Sequence, residues 1–148
     1  MLIRRARATD ITALVPLVEQ YLAFYDVKHS RARVSRFILQ KLRAKPVHVW
    51  VGAQSPGGAL EGFVQVYPTW STLRLGTAWI LNDLFVEKRV RGSGMGRALI
   101  ERVIEEAQRS GTKTVELTTA VTNAPARALY ESLGFTTDSG FLVYSHPV

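Results

Sequence analysis

A strand-like run, a glycine-rich turn and an amphipathic helix follow one another between Thr77 and Gly111, and this order restricts the fold more than any other stretch. The spacing predicts a strand over Thr77 to Val86. It predicts a helix over Gly94 to Ser110, with Met95, Leu99, Val103 and Ala107 along one stripe and Ala98 and Ile100 beside it. Gly111 is placed to end that helix. Arg97–Glu101, Arg102–Glu106 and Glu105–Arg109 are expected to pair across its polar side. The intervening Arg91-Gly92-Ser93-Gly94-Met95-Gly96-Arg97 has glycines at alternate positions, which let the backbone turn tightly and approach a ligand. Free N–H groups at the following helix start suit a phosphate or pyrophosphate, and Arg91 and Arg97 add charge. A tight structural turn accounts for the same residues. A P-loop needs Gly-Lys-Ser/Thr where Gly96-Arg97-Ala98 stands, and the dinucleotide fingerprint needs a different glycine spacing near the first strand.

The rest of the chain alternates similarly. Leu2 to Ala8 reads as a strand, followed by a helix capped at Thr9 or Asp10 with Leu14, Leu17, Val18, Tyr21, Leu22 and Tyr25 on one face. Pro16 removes a helical hydrogen bond, so a later start or a kink is expected there. A second helix is expected over Ser30 to Ala44, with Val34, Phe37, Ile38 and Leu42 inward. Strands over Val47 to Ala53 and Leu60 to Tyr67 flank Ser55-Pro56-Gly57-Gly58 and should form a hairpin. Thr114 to Ala120 reads as a strand. Thr122 or Asn123 caps a last helix that Gly134 stops, and Phe135 to Thr137 and Phe141 to Ser145 read as closing strands. The order β-α-α-β-β-β-α-β-α-β-β describes an α/β domain with a mixed sheet, one domain over residues 1–148.

Composition narrows the function classes. Hydrophobic residues at 47% and charged residues at 21% suit a globular domain. No apolar stretch is long enough to span a membrane, and Arg4, Arg5 and Arg7 follow the start without an apolar region, so a cytoplasmic location is the expectation. The absence of cysteine excludes disulfides, thiolate metal sites and a cysteine acyl-enzyme. His29, His48 and His146 show no metal-ligand spacing. Much of the net charge of +7 sits at Lys28, Arg31, Arg33, Arg36, Lys41, Arg43 and Lys45. A solvated helix face is the simple explanation. No aromatic side chains interleave with these charges as a stacking surface requires, so a nucleic-acid partner is not expected.

Arg91-x-x-Gly94-x-Gly96 after Leu84-Phe85-Val86 resembles the acetyl-CoA motif of the GCN5-related N-acetyltransferase (GNAT) superfamily. Asn123 to Phe135, as N-x-x-A-x-x-L-Y-x-x-x-G-F, resembles its second cofactor motif, in the right order and spacing. Trp79 to Val86 further resembles members that acetylate small amines or histone tails. The resemblance implies a mixed, mostly antiparallel sheet of six to seven strands flanked by four helices, acetyl-CoA as cosubstrate, and no metal. It implies that backbone groups of Leu84, Phe85 and Val86 pair with the pantetheine arm. Arg91, Gly92, Ser93, Gly94, Met95, Gly96 and Arg97 would hold the pyrophosphate, and Asn123 the cofactor arm. Tyr130 matches the family's general acid; a core tyrosine beside Leu129 and Leu133 is the alternative. A phenol is protonated at neutral pH and can donate as sulfur leaves.

The implied reaction is direct attack of an amine on the thioester. Asp83 is the nearest carboxylate to take the amine's proton, through water; a structural acid at a bulge is the alternative. Polyamine acetyltransferases resembling this segment carry Glu where Asn82 stands, which argues against a polyamine. The acceptor pocket implied by the fold draws on Tyr21, Phe24, Tyr25, Asp26, His29, Tyr67 and Trp70, with Asn82 beside them. Aromatic faces and one carboxylate suit a cationic amine, while core packing of Tyr21, Phe24 and Tyr25 and a surface-loop His29 are the simple explanation. The nearby basic segment permits an acidic or zwitterionic acceptor such as an amino acid. A small-molecule amine is the expected partner. A protein or peptide amine and a non-catalytic acyl-CoA-binding module are the alternatives. A homodimer is a family-level expectation.

Overall fold

The computed structural model describes residues 1–148. By its internal contacts the chain divides into Met1–Thr118 and Thr119–Val148. The first unit holds five strands, β1 (Leu2–Arg5), β2 (His48–Ala53), β3 (Gly62–Ser71), β4 (Gly76–Val86) and β5 (Thr114–Leu117). It also holds three helices, α1 (Ile11–Phe24), α2 (Arg31–Arg43) and α3 (Met95–Arg109); the second unit holds α4 (Ala124–Ser132). The sheet runs β1-β2-β3-β4-β5, antiparallel throughout except for the parallel β4–β5 pair. A parallel pair needs a crossover, and α3 supplies it.

Strand alternation gives the sheet two different faces. Val51, Phe63 and Phe85 face one side, where they pack with Leu14, Val15, Leu17 and Val18 of α1 and Val34 and Ile38 of α2. Gly52 and Gly62 face the other. A methyl group on either would meet Met95 at 3.0–3.2 Å, and at Gly62 also Leu99 at 3.2 Å, so glycine there lets α3 lie close against the sheet. Met95, Leu99, Ile100, Val103 and Ala107 are all buried. Burial of this stripe holds α3, since the ion pairs on its polar side are exposed and contribute little.

The turn after β2 forms as its residues require. Gly58 N–H donates to the Ser55 carbonyl at 3.0 Å, and Gly57 takes a φ of +75°. Ser30 caps α2 by accepting from Arg33 N–H. Asp10 precedes α1 without a capping bond. Its carboxylate instead takes both Arg4 guanidinium nitrogens at 2.8 Å and Arg7 N–H at 2.7 Å.

Several expectations are corrected. α1 begins at Ile11 and runs through Pro16; the carbonyl deprived of its donor belongs to exposed Thr12, where water can reach it. Phe37 is half exposed, because only Val34 and Ile38 of α2 reach the core fully. Arg109 pairs with Glu106 at 2.8 Å in place of Glu105, which pairs with Arg102 at 3.6 Å. The sheet has five strands, short of six to seven. Phe135 forms no strand because its N–H closes the end of α4 on the Tyr130 carbonyl at 3.1 Å, after Gly134 at φ +85°. Phe141 to Ser145 has the composition of a strand but no ladder partner, and Phe141, Leu142, Val143 and Tyr144 are 77–88% exposed. No helix is long and apolar enough to cross a membrane.

Candidate active site

The register of β3 and β4 breaks at one place. Gln65 pairs with Asp83 and Val66 with Leu81, so Asn82 is an extra residue on β4, a β-bulge. Beyond it the two sides of β4 differ. β3 pairs with Asp83 through Val86, whereas β5 stops pairing at Leu81–Leu117. The side of β4 turned away from β3 therefore has no strand partner from Asn82 to Val86. Every second residue of an antiparallel strand turns its N–H and C=O to that side. An extended chain carrying amides of its own can bond there as an added strand.

This open edge leads into the glycine turn. Arg91 Nε donates to the Val86 carbonyl at 3.0 Å, and its guanidinium lies 5.7 Å from the Phe85 ring centre and 5.9 Å from that of Phe24. Gly92 and Gly94 take φ of +81° and +88°, and a methyl group on either would meet nothing within 4 Å. Glycine is required there by backbone conformation and not by space. Gly94 stands at the N-cap of α3, where no side chain caps the helix. Gly94 therefore supplies no side-chain cap to the first-turn N–H groups of α3. Arg97 is paired with Glu101 at 3.7 Å.

A brace from the connection between β2 and β3 fixes the turn. Buried Glu61 accepts Gln54 N–H at 3.0 Å and pairs with Arg89 at 3.0 Å. Gln54 Nε2 in turn donates to Ser93 Oγ at 2.9 Å. Neither Gln54 nor Glu61 is apparent from the local motif, because both lie more than thirty positions before Ser93.

On the α1 face, side chains gather about the bulge. Gln65 Nε2 donates to Asp83 Oδ2 at 2.8 Å, and Asn82 Nδ2 donates to the same oxygen at 3.0 Å. Burial, and after it the adjoining Asp83 carboxylate, pushes the Tyr21 phenol above its ordinary range. Tyr67 is pushed up in the same way, by burial first and Asp83 second. Both phenols therefore stay protonated and present donors. Tyr21 meets Tyr25 edge-on at 5.2 Å and Phe85 at 6.3 Å. Lys41 Nζ lies 5.2 Å from the Tyr67 ring centre and 4.8 Å from that of Phe37. Asp26, at φ +55° just beyond α1, is exposed, as is His29. Trp70 is 84% exposed and five residues along β3 from Gln65, which is about 17 Å, so it does not belong to this wall. No group of three or more His, Cys, Asp or Glu side chains converges as a metal site would.

In the second unit, Asn123 caps α4, its Oδ1 accepting Ala126 N–H at 3.4 Å. Tyr130 shares a half-buried side of α4 with Ala126, Leu129 and Leu133, and its ring meets Phe135 edge-on at 5.9 Å.

The class to which the family match assigns the chain is an acyltransferase, and its candidate site is a β4 edge open beside its bulge that runs into the start of α3. More particularly, residues 14–135 match the Acetyltransferase (GNAT) family, and the chain belongs to that family. It is 34% identical over 144 residues to the uncharacterized N-acetyltransferase YhfO of Bacillus subtilis (strain 168), covering 97% of this chain and 95% of that protein. A 55-residue stretch is 44% identical to the [ribosomal protein bS18]-alanine N-acetyltransferase of Escherichia coli (strain K12), covering 37% of each chain. A crystal structure of a probable acetyltransferase superposes with a TM-score of 0.93 at 30% identity, over 100% of this chain and 98% of that one.

Proposed function

We propose that the chain transfers an acetyl group from acetyl-CoA directly to the primary amine of a small molecule. The observation that carries this reading is the unpaired edge of β4 from Asn82 to Val86, continuous with the Gly92–Arg97 turn. An arm with two amide groups followed by a pyrophosphate fits a strand edge followed by a helix start. When bound, acetyl-CoA supplies an activated thioester carbonyl beside the bulge.

The chain's residues then divide the proton work. Asp83 takes the proton that the attacking amine loses, through water, as a new N–C bond forms. Tyr130, matching the family's acid, gives its proton to the sulfur as the C–S bond breaks. Tyr21 and Tyr25 line the approach, with Asp26 and Asn82 at its margin. Lys41, half-buried over Tyr67, favours an acceptor that also carries an anionic group, such as an amino acid. Asn82, which cannot act as a base, disfavours a polyamine.

A protein α-amine is the second reading, favoured by the likeness to the ribosomal-protein-alanine acetyltransferase. A thiol-release assay with acetyl-CoA separates the two when run against amino acids, aryl and alkyl amines, polyamines and peptides with a free α-amine. Turnover on amino acids or aryl amines supports the small-molecule reading. Turnover confined to peptides supports the second, and none on any amine contradicts both.

A further inference from the structure

Gln65 is 4% exposed, on β3 directly across from the residue beside the β4 bulge. Its amide makes one side-chain bond, from Nε2 to Asp83 Oδ2 at 2.8 Å. Its carbonyl oxygen is buried and has no hydrogen-bond partner in the protein. The orientation of the amide follows from the bond itself, because Asp83 Oδ2 is an acceptor and the NH2 end must face it.

The fold by itself gains little from this arrangement. A buried carbonyl without a partner costs about as much as one good hydrogen bond returns. An apolar side chain of similar length would fill the same space without that cost. What glutamine adds is control of its neighbour. It and Asn82 both donate to Oδ2, which stops the carboxylate turning; the Tyr21 hydroxyl is the further hydrogen-bond partner of this carboxylate, and neither amide occupies Oδ1.

We propose that Gln65 is a positioning residue for the transfer step, acting through Asp83 and touching neither substrate. It holds the carboxylate in the one rotation that presents Oδ1 to the water that carries the amine's proton. This inference rests on Asp83 as the proton acceptor.

Gln65→Met keeps the length and removes the donor. Thiol release from acetyl-CoA, with 2-phenylethylamine and L-alaninamide as probe amines, is expected to fall at least 10-fold in kcat. Thermal stability is expected to hold or rise, and acetyl-CoA affinity by calorimetry to stay within twofold. Gln65→Glu sets a second carboxylate against Asp83. The two then share a proton, and the acidic limb of the pH profile moves to higher pH by a unit or more. The inference is overturned if Gln65→Met keeps the wild-type kcat and pH profile, or if its activity falls only in step with lost folding. Asp83→Asn separates the two claims. Retained turnover in that variant overturns the proton-acceptor reading and this inference together. Lost turnover there, beside a wild-type Gln65→Met, overturns this inference alone.

Discussion

The two ends of the β4 segment are built on different principles. From Leu84 through Arg97 the site is backbone: an open strand edge, two glycines in the left-handed region and a helix start without a side-chain cap. At Asp83 the site is side chain: a carboxylate held by Gln65 and Asn82, with Tyr21 and Tyr67 against it. A backbone site tolerates side-chain change and fails when φ is constrained. A side-chain site fails when a single functional group is removed. The contrast suits a reaction whose acyl donor is constant across a family while the acceptor varies.

Variants can break this comparison, beginning with the largest effect. Asp83→Asn is expected to lower kcat about 100-fold or more, the lower end of what general base catalysis supplies, with acetyl-CoA affinity within twofold. Loss of affinity in that variant would show that the two ends are not separate. Gly94→Val should behave in the opposite way. A β-branched residue at φ +88° costs about 1–2 kcal/mol and disturbs the N–H array, so acetyl-CoA affinity by calorimetry should fall about 10-fold while kcat at saturation is retained. Unchanged affinity would remove the turn from the binding site.

Glu61→Ala sharpens the picture by removing the brace behind the turn. It leaves Gln54 N–H without its acceptor, and a loss of about 1–3 kcal/mol is expected by urea unfolding, with weaker acetyl-CoA binding as a consequence. Full stability with full affinity would show that the turn holds itself. The smallest effect lies away from both ends. His48 is pushed down to about 4 by burial and by the neighbouring Arg5, while it stacks on Trp79 at 4.6 Å. The unfolded chain binds a proton there from about pH 6.5 downward and the folded one does not until about pH 4. Stability is therefore lost as pH is lowered through that window, by about 1 kcal/mol after solvent screening. His48→Gln should flatten that slope in pH-dependent unfolding while leaving turnover unchanged. An unchanged slope would assign the loss to other groups.

The sequence motifs carried one end of β4 well and the other poorly, for the same reason. The glycine turn and the α3 stripe are written in consecutive residues, and Met95, Leu99, Val103 and Ala107 are buried as their spacing requires. Gln65 is separated from Asp83 by 18 positions, and only the β3–β4 register brings them together. Nothing local distinguishes it from an outward-facing polar residue of a strand. The apolar helical stripe placed Tyr21 toward the core, and its ring packs edge-on against Phe63 and Phe85. Trp70 was misplaced because strand length, which sets its distance from the bulge, was underestimated at Tyr67 and runs to Ser71. Phe141 to Ser145 shows the converse limit: composition favours a strand, but a strand also needs a partner edge, and composition does not supply one.

Hydrogen–deuterium exchange with and without acetyl-CoA tests the central claim most directly, because it reads the backbone groups that the β4 edge leaves unpaired. The account predicts that peptides covering Asn82–Val86 and Gly92–Arg97 exchange at least 10-fold more slowly when acetyl-CoA is added, with α2 unchanged. Protection confined to α2, or none along β4 and its turn, would contradict it.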